Sequence, residues 1–211
     1  MKLIKYLNDH FITQSELLEL SKVTEEELMK LQHRRLMPQC SYKLKINVES
    51  DSFFGAYSEH QELEYYAKGY ISWVTAIKRL QSSNDAYLLF ASRYKAALNN
   101  LKSDGFVISD HKFNEGLELH IEEQWAHFLN GTYGLCTKSG LPEDIAAKAL
   151  ATTEINELTE WSDLDEKQLS RLERAVNLLD SASSLFAPHE RLKSSRHRLV
   201  DDVRREYKLD I

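Results

Sequence analysis

Apolar residues recur at helical spacing through most of this chain. Leu63, Tyr66, Tyr70, Trp73, Ile77 and Leu80 fall at intervals of three and four, which predicts one continuous amphipathic helix. Asn84 or Asp85 is placed to cap the next, which turns Tyr87, Phe90, Tyr94, Leu98 and Leu101 inward and ends at Gly105. A further helix over roughly 115–129 carries Leu117, Ile121, Trp125 and Phe128 on one face, and Asn130-Gly131 stops it. Pro142 suits the first turn of a helix reaching about Trp161. Ser162 is expected to cap another with Leu169, Leu172, Val176 and Leu179, and a last helix follows Ser194 or Ser195 with Leu199, Val203 and Tyr207 in line.

Alternation of period two is rarer. Tyr42, Leu44, Ile46 and Val48 alternate with polar residues, the pattern of a half-buried strand, and GFVIS at 105–109 is its candidate partner. The expected fold is therefore mostly α, a multi-helix domain with one short strand or hairpin. Residues 1–41 form a small N-terminal unit packed onto a helical domain at 42–211, together one domain or two.

Two capping boxes organise that N-terminal unit, Thr13 with Glu16 and Thr24 with Glu27. The outline is helix–turn–helix-like and resembles the DNA-reading unit of mercury-resistance-type regulators, which makes a transcription regulator using residues 13–38 one alternative function. Charge opposes it. The turn that would meet the groove is Glu25-Glu26-Glu27, and residues 13–38 hold five acids against four Lys/Arg. A basic protein surface suits these glutamates better than nucleic acid.

Composition supports long helices, since the 211 residues include only 7 Gly and 3 Pro. The net charge of −6 does not suggest an anionic polymer or anionic membrane as partner. Cys40 and Cys136 make no metal or redox spacing motif, and no apolar run is long enough for a bilayer span. MKLIKYLNDHF is broken by charge before a signal-peptide core can form, so a cytoplasmic location is expected.

Three groups of residues could carry chemistry. His120, Glu123 and His127 lie at i, i+3 and i+7, a weak metal candidate whose spacing fits neither H-E-x-x-H nor E-x-x-H; no metal or cofactor is expected. Cys136, Ser194 or Ser195 with His189 or His127 lacks a nucleophile elbow, and both serines read better as caps. The stretch 189–198 gathers four Lys/Arg against one acid, Glu190, ahead of a helix N-terminus, which suits a carboxylate or phosphate. An enzyme centred on His189 and Glu190 is a further alternative.

WAHFLNGTYGLC (125–136) and FAPHERLKSSRHRLVDDVRREY (186–207), with MPQCSY (37–42) and SFFG (52–55), resemble a bacterial family of unknown-function proteins commonly labelled natural-product biosynthesis proteins. The resemblance implies a non-catalytic or weakly catalytic accessory of a small-molecule pathway, binding a partner enzyme or an anionic intermediate. Together with the residue chemistry it points to Asn130, Thr132, Tyr133, His189, Glu190, Arg191, Ser195, Arg196 and Arg198 as ligand-binding residues. His189, Arg191, Arg196 and Arg198 are expected to converge with the NGTYG turn on one polar pocket.

Overall fold

The computed structural model describes residues 2–107, 109–161 and 163–209. Helix accounts for 62% of the described residues, and a small antiparallel sheet of three strands accompanies it. The chain runs α1 (Lys2–His10), β1 (Phe11–Thr13), α2 (Gln14–Ser21), α3 (Glu25–His33), β2 (Tyr42–Ser52), β3 (Gly55–Ala67), α4 (Tyr70–Ile77), α5 (Ser83–Ser103), α6 (Leu117–Leu129), α7 (Thr132–Cys136), α8 (Pro142–Thr159), α9 (Glu166–Ala182) and α10 (Asp202–Tyr207). A π-helical turn, His197–Asp201, leads into α10.

Both N-terminal capping boxes form. Thr13 accepts from the Glu16 amide and Thr24 from that of Glu27, while each glutamate accepts from the cap's own amide. The pair does not pack as a separate unit: Leu17, Leu28 and Leu31 share one apolar cluster with Trp73, Phe90, Trp125 and Phe128. Glu25, Glu26 and Glu27 stay exposed at the start of α3.

Four helix boundaries differ from expectation. The stripe from Leu63 to Leu80 is not one helix, because residues up to Ala67 belong to β3, the central strand, with Phe11↔Ala67 on one side and Tyr42↔Tyr65 on the other. This end of β3 is covered on both faces, Tyr66 by the main cluster and Tyr65 by the cluster around Tyr6 and Phe11, so both tyrosines are buried and mimic a helical run. α5 is capped by Ser82, whose hydroxyl accepts from the Asp85 amide, rather than by Asn84 or Asp85. α9 is capped by Asp165; Ser162 lies outside the described residues. α8 ends at Thr159, short of Trp161.

The strand partner also differs. β2 pairs with β3 through eleven residue pairs, from Tyr42↔Tyr65 to Ser52↔Gly55. Residues 105–107 and 109 form no strand, and Ile108 lies outside the described residues. The short hairpin is thus a long one, and it reaches beyond the helical body.

Two further apolar clusters complete the interior. Ile155, Leu158, Leu172, Val176 and Leu179 join Leu199, Val200 and Val203, fastening α8, α9 and the last helical segment together. Tyr6, Leu7, Phe11, Tyr65 and Ala187 form a smaller cluster where α1 and the base of the sheet meet the chain after α9. Among the described residues no helix is long and apolar enough to cross a membrane.

Candidate functional site

Gly131 opens the corner that shapes this region. Its φ of +82° is left-handed, and a Cβ there would lie 2.6 Å from the Cys40 carbonyl oxygen and 2.8 Å from that of Gln39. Only glycine tolerates both the angle and the approach. α7 follows and delivers Cys136, Thr137 and Lys138 to the end of α9. Lys138 donates its amide to the Ala182 carbonyl at 2.8 Å, the Ser184 hydroxyl donates to the Leu135 carbonyl at 2.6 Å, and Thr137 bridges to Ser183.

Lys148 of α8 ties this corner to the stretch after it. Its ammonium donates to the Cys136 carbonyl at 2.9 Å, to the Ser195 hydroxyl at 3.1 Å and, at the limit of hydrogen bonding, to the Ser183 hydroxyl at 3.5 Å. It also lies 5.5 Å from the centre of the Phe186 ring. Among the described residues no carboxylate pairs with it. Burial lowers its proton affinity below that of an ordinary lysine, and Arg196 adds to the effect against the opposing influence of Cys136. Because Ser183 and Ser195 accept from the ammonium, each keeps its own O–H to donate elsewhere.

Two clefts flank this junction. The first, about 390 Å³, is lined by Lys148, Tyr133, Gln124 and His120, with Asp110, Lys112, Glu157 and Glu160. A polar chain crosses it: the Tyr133 hydroxyl donates to Gln124 Oε1, Gln124 Nε2 lies 3.4 Å from His120 Nδ1, and His120 Nε2 lies 2.9 Å from the Tyr94 hydroxyl. Burial, then Lys112, holds His120 below the usual imidazole range, so the ring links these groups in its neutral form.

The second cleft, about 360 Å³, lies between α1 and the end of α9. Tyr6, His10, Phe11 and Ala67 line one side; Thr137, Lys138, Asp180, Ser181, Ser183, Ser184, Leu185 and Arg196 line the other. Arg196 is buried against Asp180, donating to its carboxylate and, at 3.1 Å, to its carbonyl oxygen; Arg204 reaches the same carboxylate at 2.9 Å. Burial opposes ionisation of Asp180, but Arg204 and Arg196 outweigh it and hold the carboxyl below the usual aspartate value. The Tyr6 hydroxyl is buried beside the hydroxyls of Ser184 and Tyr42.

Charge separates the clefts. The first sets Lys112 and Lys148 against three carboxylates. The second sets Lys138 and Arg196 against Asp180 alone, with His10 nearby. The second therefore carries the more cationic lining of the two.

The residues singled out from sequence are thereby distributed rather than gathered. Arg196 lines the second cleft, Ser195 holds Lys148 behind it, and Tyr133 lines the first. Asn130 lies beside Gln32, Arg35 and Met37 on another face, and Thr132 is exposed. Glu190 accepts from the Tyr42 hydroxyl at 2.6 Å, and the exposed His189 ring stands 3.7 Å from it. Arg191 and Arg198 are exposed, and neither they nor His189 lines either cleft, so the expected single pocket does not form from all four. His120 turns into the polar chain while Glu123 and His127 face outward, and among the described residues no three His, Cys, Asp or Glu side chains are grouped to hold a metal. Lys148, Lys138 and Tyr6 were not foreseen; their only sequence signal was the charge or hydroxyl each carries.

The chain belongs to a family of unknown function, DUF6058, whose profile matches residues 86–208, more than half of the chain. No curated protein and no solved structure matches it.

Proposed function

We propose that this member of the DUF6058 family is a non-catalytic or weakly catalytic accessory of a small-molecule, natural-product pathway that holds an anionic intermediate in the cleft between α1 and α9. The observation that carries the reading is the local excess of cation and hydroxyl donors. Lys138 and Arg196 face one carboxylate, already shared by two arginines, while Ser183 is turned into a donor by Lys148 and Tyr6 offers a buried hydroxyl beside that of Ser184. Phe11, Ala67 and Leu185 supply an apolar floor and lip. The ligand is a carboxylate or phosphate with a small apolar body.

Calorimetric titration with inorganic phosphate, hexanoate and benzoate tests the reading. At least one should bind saturably, and Lys138→Ala and Tyr6→Phe should each lower its affinity about tenfold without lowering Tm, a loss of the size expected for a charge-assisted contact. Absence of saturable binding, or equal affinity in both variants, would remove the anion site.

A further inference from the structure

The outer half of the β2–β3 hairpin touches none of the three apolar clusters. Paired residues share a face, so Tyr42, Leu44, Ile46, Val48 and Ser50 line up with Tyr65, Leu63, Gln61, Glu59 and Tyr57 on one side of the ribbon. At the base this face is covered: Tyr42, Leu44 and Leu63 pack against Tyr6, Phe11 and Tyr65. Farther out the cover ends, leaving Val48 and Tyr57 exposed. From Ile46 to the turn the ribbon extends about 20 Å at roughly 3.4 Å per residue. At its tip Phe53 and Phe54 are 98% and 96% exposed, their rings edge to face at 5.4 Å.

Two adjacent phenylalanines held in water oppose the hydrophobic effect, and in a soluble domain such a patch marks a contact surface. Charge identifies the kind of contact. Near the base, Glu62 and Glu64 are neutralised by Lys43 and Lys45. Residues 46–61 instead carry Glu49, Asp51 and Glu59 with no lysine or arginine, and no ion pair reaches those acids among the described residues. An acidic collar around an aromatic tip is repelled by anionic lipid. It is also repelled by a second copy of a chain of net charge −6. Both sources of apolar cover are thus disfavoured against a basic protein surface.

We infer that the hairpin is a docking arm whose Phe53–Phe54 tip seats in an apolar pocket rimmed by lysine or arginine on a different protein. Val48 and Tyr57 extend the contact along one face, and Glu49, Asp51 and Glu59 meet the basic rim. The outer half of the arm lies outside the 86–208 segment matched by the family and lines neither of the two clefts described above, so this inference stands apart from the anion cleft.

The test places a photo-crosslinking phenylalanine analogue at Phe53 of the full-length chain in its native cells, with exposed Leu119 as control. The protein captured at Phe53 and not at Leu119 is then purified and its affinity measured. Phe53→Ser with Phe54→Ser should weaken binding by about tenfold or more, as loss of a central aromatic anchor does. Glu49→Lys with Asp51→Lys should also weaken it, as should added salt. Both double variants lie on the exposed arm, and unchanged Tm separates loss of contact from misfolding. The inference is overturned if nothing is captured at Phe53, if only a second copy of the chain is captured, or if the purified protein binds both double variants as tightly as the wild type. Co-sedimentation with phosphatidylcholine or phosphatidylserine vesicles that depends on the two phenylalanines would overturn it in favour of a lipid surface.

Discussion

Lys148 donates to the hydroxyl of Ser195 at 3.1 Å, across forty-seven positions of sequence, and through the Cys136 carbonyl it joins the corner after α6 to the segment before α10. Residues 125–136 and 186–207, both within the segment matched by the family, therefore meet on a residue belonging to neither.

That lysine carries a pH signature. Its pKa in the fold lies below the ordinary 10.5, so between those two values the unfolded chain binds more protons and stability rises with pH. Lys148→Met should remove that rise. At neutral pH the variant should lie within about 1.5 kcal/mol of the wild type, since loss of a buried charge offsets loss of its hydrogen bonds. Denaturation curves of both proteins from pH 7 to 10 check this; parallel profiles would refute it.

Asp180 and Arg196 behave as a structural pair. Asp180→Asn leaves the buried Arg196 without a counter-charge and should cost about 3–5 kcal/mol, whereas Arg196→Ala leaves Asp180 still paired with Arg204 and should cost less. Because the folded pKa of Asp180 lies below 3.8, its contribution is complete above that value and is lost as pH falls through the folded pKa. In urea titrations, the gap in stability between wild type and Asp180→Asn should narrow as pH is lowered from 7 towards 3.

Gly131→Ala should destabilise by about 3 kcal/mol, combining left-handed backbone strain with overpacking against the Cys40 and Gln39 carbonyls. Thermal and chemical unfolding report it. A cost below about 0.5 kcal/mol, the range of ordinary surface substitutions, would show that the corner yields.

His120 predicts a loss at mild acidity. Its folded pKa is below 6.5, so the unfolded chain takes up the proton first, and stability falls as pH drops from 6.5 through the folded value. His120→Gln should flatten that decline, at a cost at neutral pH of about 1–2 kcal/mol from the disturbed Tyr94 and Gln124 contacts. Stability measured between pH 7 and 5 in both proteins decides it.

What the sequence determined by itself was local. The boxes at Thr13–Glu16 and Thr24–Glu27, the stop at Asn130-Gly131 and the start at Pro142 each depend on residues within a turn of one another, and each is where periodicity and capping chemistry put it. Ser194 likewise accepts from the His197 amide as a cap should. Tertiary structure decided whatever depended on a distant partner. The run from Leu63 to Ala67 satisfies a helical period as well as a strand's, and only pairing with Phe11–Thr13 and Tyr42–Ser52 selects the strand. Arg196 was legible as a cation but not as the partner of Asp180, sixteen positions earlier, and Arg191 and Arg198, its equals in composition, face solvent. Capping and periodicity act through bonds that close within a few residues, whereas an ion pair or cleft exists only after α8, α9 and the corner at Gly131 have packed, and no pattern along the chain encodes that distance.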